Sequence, residues 1–152
     1  MSAEDNAEIA RKIYELFNDH DFDSVLEHVA EGAEVELYAE GLSFRGREGF
    51  REMMAHFKAP WPDGTVEVIW QFAGEDGVTN ECIYRATHTA PLPTPDGSEV
   101  PPTGKRIELR FCEVWRMEAG KVRSLHNYAD NLALMQKLGL IPEPGGAEEG
   151  QT

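Results

Sequence analysis

The chain has 152 residues, and its 28 Asp and Glu outnumber 14 Lys and Arg, giving a formal charge of −14. That balance repels a phosphate backbone or an anionic bilayer, and no run approaches the roughly 18 apolar residues of a spanning helix, so neither nucleic acid nor membrane is expected as a partner. The length suits one domain, which at this size buries about 68–70% of its unfolded surface, enough for a core with a cavity.

The first residues, Met1-Ser2-Ala3-Glu4-Asp5, are acidic and lead into no apolar run, so neither a secretory nor a transit segment is expected and the protein reads as cytoplasmic. Cys82 and Cys112 are too few and too far apart for a disulfide framework or a zinc site, and they read as buried reduced thiols.

Ile9, Ile13, Leu16 and Phe17 follow helical spacing, and Phe22, Val25, Leu26 and Val29 repeat it after the polar break from Asn18 to Asp21. Two helices are therefore predicted, the second ending at Gly32, followed by a strand through Val35 and Leu37. Phe50, Met53, Met54 and Phe57 mark one face of a third helix that starts near Gly46 and stops before Pro60.

From residue 65 the period changes to two. Val66, Val68, Trp70 and Phe72 alternate with more polar neighbours, Glu75-Asp76-Gly77 turns the chain, and Val78 to Ala90 forms the next strand. The prolines between Pro91 and Pro102 lack the N–H that a ladder needs, so a rim or lid loop is expected there. Ile107 to Met117, a turn at Glu118-Ala119-Gly120, and Val122 to Tyr128 complete a meander, and Leu134, Met135 and Leu138 suggest a short last helix. Helices followed by a meander indicate an α+β domain over residues 1–142, with a curved sheet enclosing an apolar conical pocket. Residues 143–152 read as a disordered, acidic, Gly-rich tail.

Three places carry candidate chemistry. Glu113 interrupts an apolar face made by Ile107, Leu109, Phe111, Trp115 and Met117, where desolvation raises a carboxyl pKa; a structural Glu paired with an Arg or facing another subunit is the competing reading. Val122, Ser124, His126 and Tyr128 share a face by alternation, and continued extension adds Asp130, giving an acid/base row; Asp130 as the N-cap of the last helix is the plain alternative. His88 follows Asn80, Cys82, Tyr84 and Ala86 on one strand face, as a catalyst or as a satisfied core residue.

Tyr14, Trp70, Tyr84, Phe111, Trp115 and Tyr128 are expected to line the pocket. His20, His28 and His56 show no ligand spacing, and Asp19, Asp21 and Asp23 fail as a calcium loop, since Ser24 stands at its glycine and Ala30 at its bidentate Glu. No metal and no cofactor is expected, and no phosphate loop, nucleophile elbow or HExxH occurs.

Gly46-Arg47-Glu48-Gly49-Phe50, Trp61-Pro62-Asp63, Thr87-His88-Thr89, Pro102-Thr103-Gly104-Lys105, Gly120-Lys121-Val122, and Asp130 followed by Met135-Gln136-Lys137-Leu138-Gly139 occur in that order over about residues 6 to 141. In this the chain resembles the SnoaL-like polyketide (ester) cyclases of the nuclear transport factor 2-like superfamily. The resemblance implies an NTF2-like cone-shaped α+β barrel and a cofactor-free intramolecular aldol closure, with the family's catalytic aspartate mapping onto Asp130. One departure is that His126-Asn127-Tyr128 stands where members often carry a Trp and an acid.

The resulting expectation is an acid/base enzyme for an apolar or aromatic carbonyl compound, with Asp130 as principal base or acid and His88, Glu113 and His126 assisting. Sheets of this superfamily commonly assemble, so a homo-oligomer, dimer or tetramer, is expected. A non-catalytic ligand-binding or dimerisation protein is the first alternative, and an epoxide hydrolase-like enzyme the next.

Overall fold

The computed structural model describes residues 1–143, so all but the first residue of the expected tail lies outside the described residues. Helix α1 (Ala3–Asn18) starts at a capping box in which Ser2 and Asp5 exchange side-chain and backbone bonds, and it buries Ala10, Ile13, Tyr14 and Phe17. Helix α2 (Phe22–Leu26) is capped by Asp21 accepting from the Ser24 N–H. It is shorter than its spacing predicts. Val29 pairs with Val122 at the start of strand β1 (Val29–Leu37), and an irregularity before Glu34 places Gly32 inside the strand rather than at a helix end.

Strand β2 (Leu42–Arg45) returns antiparallel to β1, and helix α3 (Gly46–Lys58) lays Phe50, Met53 and Met54 into the core, as the spacing predicts. Strands β3 (Thr65–Ala73), β4 (Gly77–Thr87), β7 (Arg106–Glu118) and β8 (Lys121–Ala129) form the meander. Between β4 and β7 the proline segment folds into a small ladder of its own, β5 (Leu92–Pro93) against β6 (Glu99–Val100), separate from the main sheet. Helix α4 (Asn131–Lys137) follows β8.

The main sheet runs β2-β1-β8-β7-β4-β3. It is antiparallel except where β1 lies parallel to β8, so it is a mixed sheet. Ala119 and Gly120 both take positive φ, at 50° and 76°, the geometry of a tight hairpin turn between β7 and β8. The helices cover one face, and the core joins Ile13, Tyr14, Phe17, Phe50, Met53 and Met54 to Val35, Leu37, Ile107, Trp115 and Leu125.

Two bulges decide which side chains reach that face. In β3, Val68 pairs with Cys82 but Trp70 pairs with Glu81, so Ile69 is the extra residue and the alternation reverses beyond it. Gln71 then turns inward, donating to Asn80 at 2.9 Å, while Trp70 and Phe72 are 63% and 74% exposed. In β8, Met117 pairs with Val122 but Arg116 pairs with Ser124, so Arg123 is extra. Leu125 and Asn127 consequently join the buried side and Tyr128 the exposed one.

Candidate active site

Beneath the curved sheet lies an open, mainly apolar cavity of about 660 Å³. Its walls come from α1 (Ile13, Tyr14, Phe17), α3 (Phe50, Met53, Met54, His56, Phe57), the inner faces of β7 and β8, and Leu134 and Met135 of α4. Leu92, Pro93, Thr94 and Pro95 of the proline hairpin complete it, so that loop is part of the cavity's rim.

Of the two carboxylates that line the cavity, Glu40 and Glu113, Glu113 is the buried one. Alternation along β7 predicts Glu113 on the apolar face, and there it is, buried between Phe111 and Trp115. Its Oε1 accepts the Tyr14 hydroxyl at 2.6 Å and the Trp115 indole N–H at 3.2 Å, and its Oε2 accepts the Asn127 amide at 2.8 Å. The partner is no Arg. Burial pushes the Glu113 pKa above the ordinary glutamate value, and the bonds from Tyr14, Asn127 and Trp115 pull against that rise. The Tyr14 phenol is driven well above its usual range by its own burial and by the neighbouring Glu113 charge.

Asn127, which alternation without the bulge assigns to the other face, is one site residue that the sequence reading did not place in the pocket. It lies directly opposite Glu113 in the β7–β8 register, as Asn80 does in the β4–β7 register. Cys82, one alternation along from Asn80, is buried and its thiol pKa is pushed up to about 12, chiefly by desolvation and then by Glu113, which suits an inert thiol.

The expected acid/base row on β8 is not in the cavity. Asp130 is exposed, and its Oδ1 accepts the Ala133 N–H at 2.9 Å as the N-cap of α4. The chain leaves the strand there, so Ala129 and Asn131 touch the cavity while Asp130 points away. His126 and Tyr128 are carried to the outer face by the Arg123 bulge, where both pack on Tyr38 at ring separations of 5.5 and 5.0 Å. Trp70 is likewise outside. Tyr14, Tyr84, Phe111 and Trp115 line the cavity as expected.

His88 is fully buried on the Asn80, Cys82, Tyr84 and Ala86 face but lies outside the cavity wall. Its Nδ1 accepts the Thr103 N–H at 3.2 Å, so Nε2 carries the proton, and its ring packs on Trp61 at 5.0 Å. Its backbone N–H bonds the Lys105 carbonyl and its carbonyl accepts from Gly104, which ties together the two stems of the proline hairpin. Burial holds its pKa below the usual histidine value, so a neutral clamp is what this geometry provides.

Tyr84 reaches into the cavity wall because Gly64 offers no Cβ where the phenol passes, and its hydroxyl donates to the Phe57 carbonyl at 2.6 Å. A second polar pair lines the cavity through tertiary approach alone: His56 Nε2 lies 2.8 Å from Glu40 Oε1. Among the described residues no three His, Cys, Asp or Glu side chains gather as a metal site, and no helix is long and apolar enough to cross a membrane.

The model of the SnoaL-like polyketide cyclases matches residues 7–138. The chain belongs to this family. Among solved structures it is similar to IdmH of Streptomyces antibioticus, assigned as a polyketide cyclase, with 26% identity over 88% of this chain and 98% of that one and a TM-score of 0.75. A protein of Jannaschia sp. CCS1, assigned as a SnoaL-like polyketide cyclase, is 18% identical over 92% and 95% of the two chains with a TM-score of 0.79. AclR of Streptomyces galilaeus, assigned as a hydroxylase, is 22% identical over 99% and 91% with a TM-score of 0.78. No curated protein matches the chain. The cone-shaped NTF2-like fold implied by the sequence resemblance is the fold observed, and family membership supports a cyclase-type function in general terms.

Proposed function

We propose that this SnoaL-like family member is an acid/base enzyme that removes an α-proton from an apolar or aromatic carbonyl compound and closes a carbon–carbon bond by an aldol step, with Glu113 as the base. The observation that supports this reading best is a desolvated carboxylate in the wall of an apolar cavity, held from both sides by Tyr14, Trp115 and Asn127. A raised carboxyl pKa brings the base closer to the acidity of an activated α-carbon, and fixed donors keep its lone pairs in one orientation. The enolate's own electron pair forms the carbon–carbon bond, so the protein has only proton transfers to supply and the reaction calls for no cofactor.

In this reading Asp130 serves as a helix cap rather than as the base, and His88 as a clamp on the rim hairpin, which their hydrogen bonds support. Exposed Trp70 and Phe72 on the outer sheet face support the expectation of a homo-oligomer built there. Sedimentation of Trp70→Ser should then show a smaller species than the unsubstituted protein.

Binding without chemistry is favoured by one feature: each oxygen of Glu113 already has a protein donor. The two readings separate on deuterium exchange at the α-carbon of an aryl β-keto ester probe, followed by NMR. The unsubstituted protein should accelerate exchange and Glu113→Gln should lower that acceleration by about 10²-fold or more, as general-base catalysis of this kind contributes about 10²–10⁴-fold. Exchange indifferent to Glu113→Gln removes Glu113 from the reaction.

A further inference from the structure

The geometry points to His56, oriented by Glu40, as a second proton-transfer centre in the cavity wall that protonates the new alkoxide in the aldol step; this rests on Glu113 as the base. Both side chains line the same cavity as Glu113. Both are half-buried whereas Glu113 is buried, so the pair lies nearer to solvent than Glu113 does. His56 comes from the last turn of α3 and Glu40 from the turn between β1 and β2.

An ionised carboxylate only accepts, so a bond to Glu40 puts a proton of His56 on Nε2, and the ring has Phe44 and Phe57 at centroid separations of 6.4 and 5.5 Å. That leaves Nδ1 with no partner among the described residues, and it is not a buried orphan. A carboxylate bonded to one ring nitrogen while the other stays free is the arrangement by which a histidine is oriented for proton transfer.

An aldol closure needs two such groups at two atoms. Ionised Glu113 takes the α-proton, and the C–H electron pair becomes the enolate. The enolate carbon then bonds to the second carbonyl carbon, and the π pair of that carbonyl moves onto its oxygen. That oxygen takes the Nδ1 proton of the His56 imidazolium. Glu113 ends protonated and His56 neutral, and water returns the proton from one to the other. The substrate class follows: a chain with one carbonyl activating an α-carbon near Glu113 and a second carbonyl near His56, joined by an apolar or aryl body.

An aryl methyl δ-diketone serves as the probe, since its methyl exchange and its ring closure to the hydroxycyclohexanone are read in one NMR experiment. His56→Gln should slow closure by about 10²-fold, and at least ten times more than it slows exchange, with kcat falling and KM nearly kept. Added imidazole should restore part of the closure rate, which a merely structural role does not allow. Glu40→Gln, a positioning change, should slow closure by about ten-fold, and matched thermal melts keep folding losses out of the comparison. Closure that survives His56→Gln, or closure and exchange that fall equally without imidazole rescue, overturns this assignment alone. No exchange in the unsubstituted protein overturns the Glu113 reading and this one together.

Discussion

Two acids, one within the β7–β8 hairpin and one at its exit, stand on opposite sides of the water boundary. Glu113 on the inner face is buried with three protein donors, and Asp130 just past the end of β8 is exposed with one backbone donor. The two groups are the same functional class, and solvent separates their tasks: a dry carboxylate has its charge destabilised and is suited to take a proton, whereas a wet one at a helix start stabilises local structure. The lesson is that the face a carboxylate occupies says more about its chemistry than its place in a motif.

The largest expected break in that comparison is in activity. Glu113→Gln should lower α-proton exchange by about 10²-fold or more while Asp130→Asn stays close to the unsubstituted rate, measured side by side on the aryl β-keto ester probe. Asn127 is able to turn its amide and present its oxygen to the amide that Glu113→Gln introduces, so the variant should still fold.

Next comes Tyr14→Phe. The phenol bond lowers the Glu113 pKa, so its loss should shift the acidic limb of the rate profile to higher pH, since the base must be ionised to act. The stability loss should be about 1–3 kcal/mol, the range for a bond to a charged or buried acceptor, as read by chemical denaturation.

A third measurement reads the same group through stability. A carboxyl whose folded pKa is raised binds more protons in the folded than in the unfolded chain between the two values. Stability should therefore fall as pH rises from the ordinary value of 4.5 through the raised value, and Glu113→Gln should flatten that slope. The smallest effect belongs to the wet side: Asp130→Ala should cost about 0.5–2 kcal/mol through the lost cap, and Asp130→Asn almost nothing, because Asn caps as well as Asp. An Asp130→Asn enzyme without activity reverses the assignment of the two acids.

Much of the site was legible where alternation ran unbroken. The odd positions of β7 point inward along the whole strand, so the residue pattern alone marks Glu113 as an acid on an apolar face. The same rule failed on β3 and β8, where Ile69 and Arg123 each insert one residue and exchange the faces beyond them. Trp70, His126 and Tyr128 were thereby read as pocket residues, and Asn127 was passed over. A bulge of one residue carries no strong sequence mark when the inserted residue is an ordinary Ile or Arg.

The sequence alone determined the element order, the apolar inner face of β7, the proline segment that stays out of the main sheet and the family. These follow from periodicity, missing N–H donors and ordered motifs, all properties of local chain. Tertiary structure decided which acid is dry, that Tyr14 and Asn127 meet Glu113, and that Glu40 meets His56 across 16 positions of chain. Such pairings depend on how far the sheet curls and where its ladders slip, and those are set by packing among distant segments rather than by any one of them.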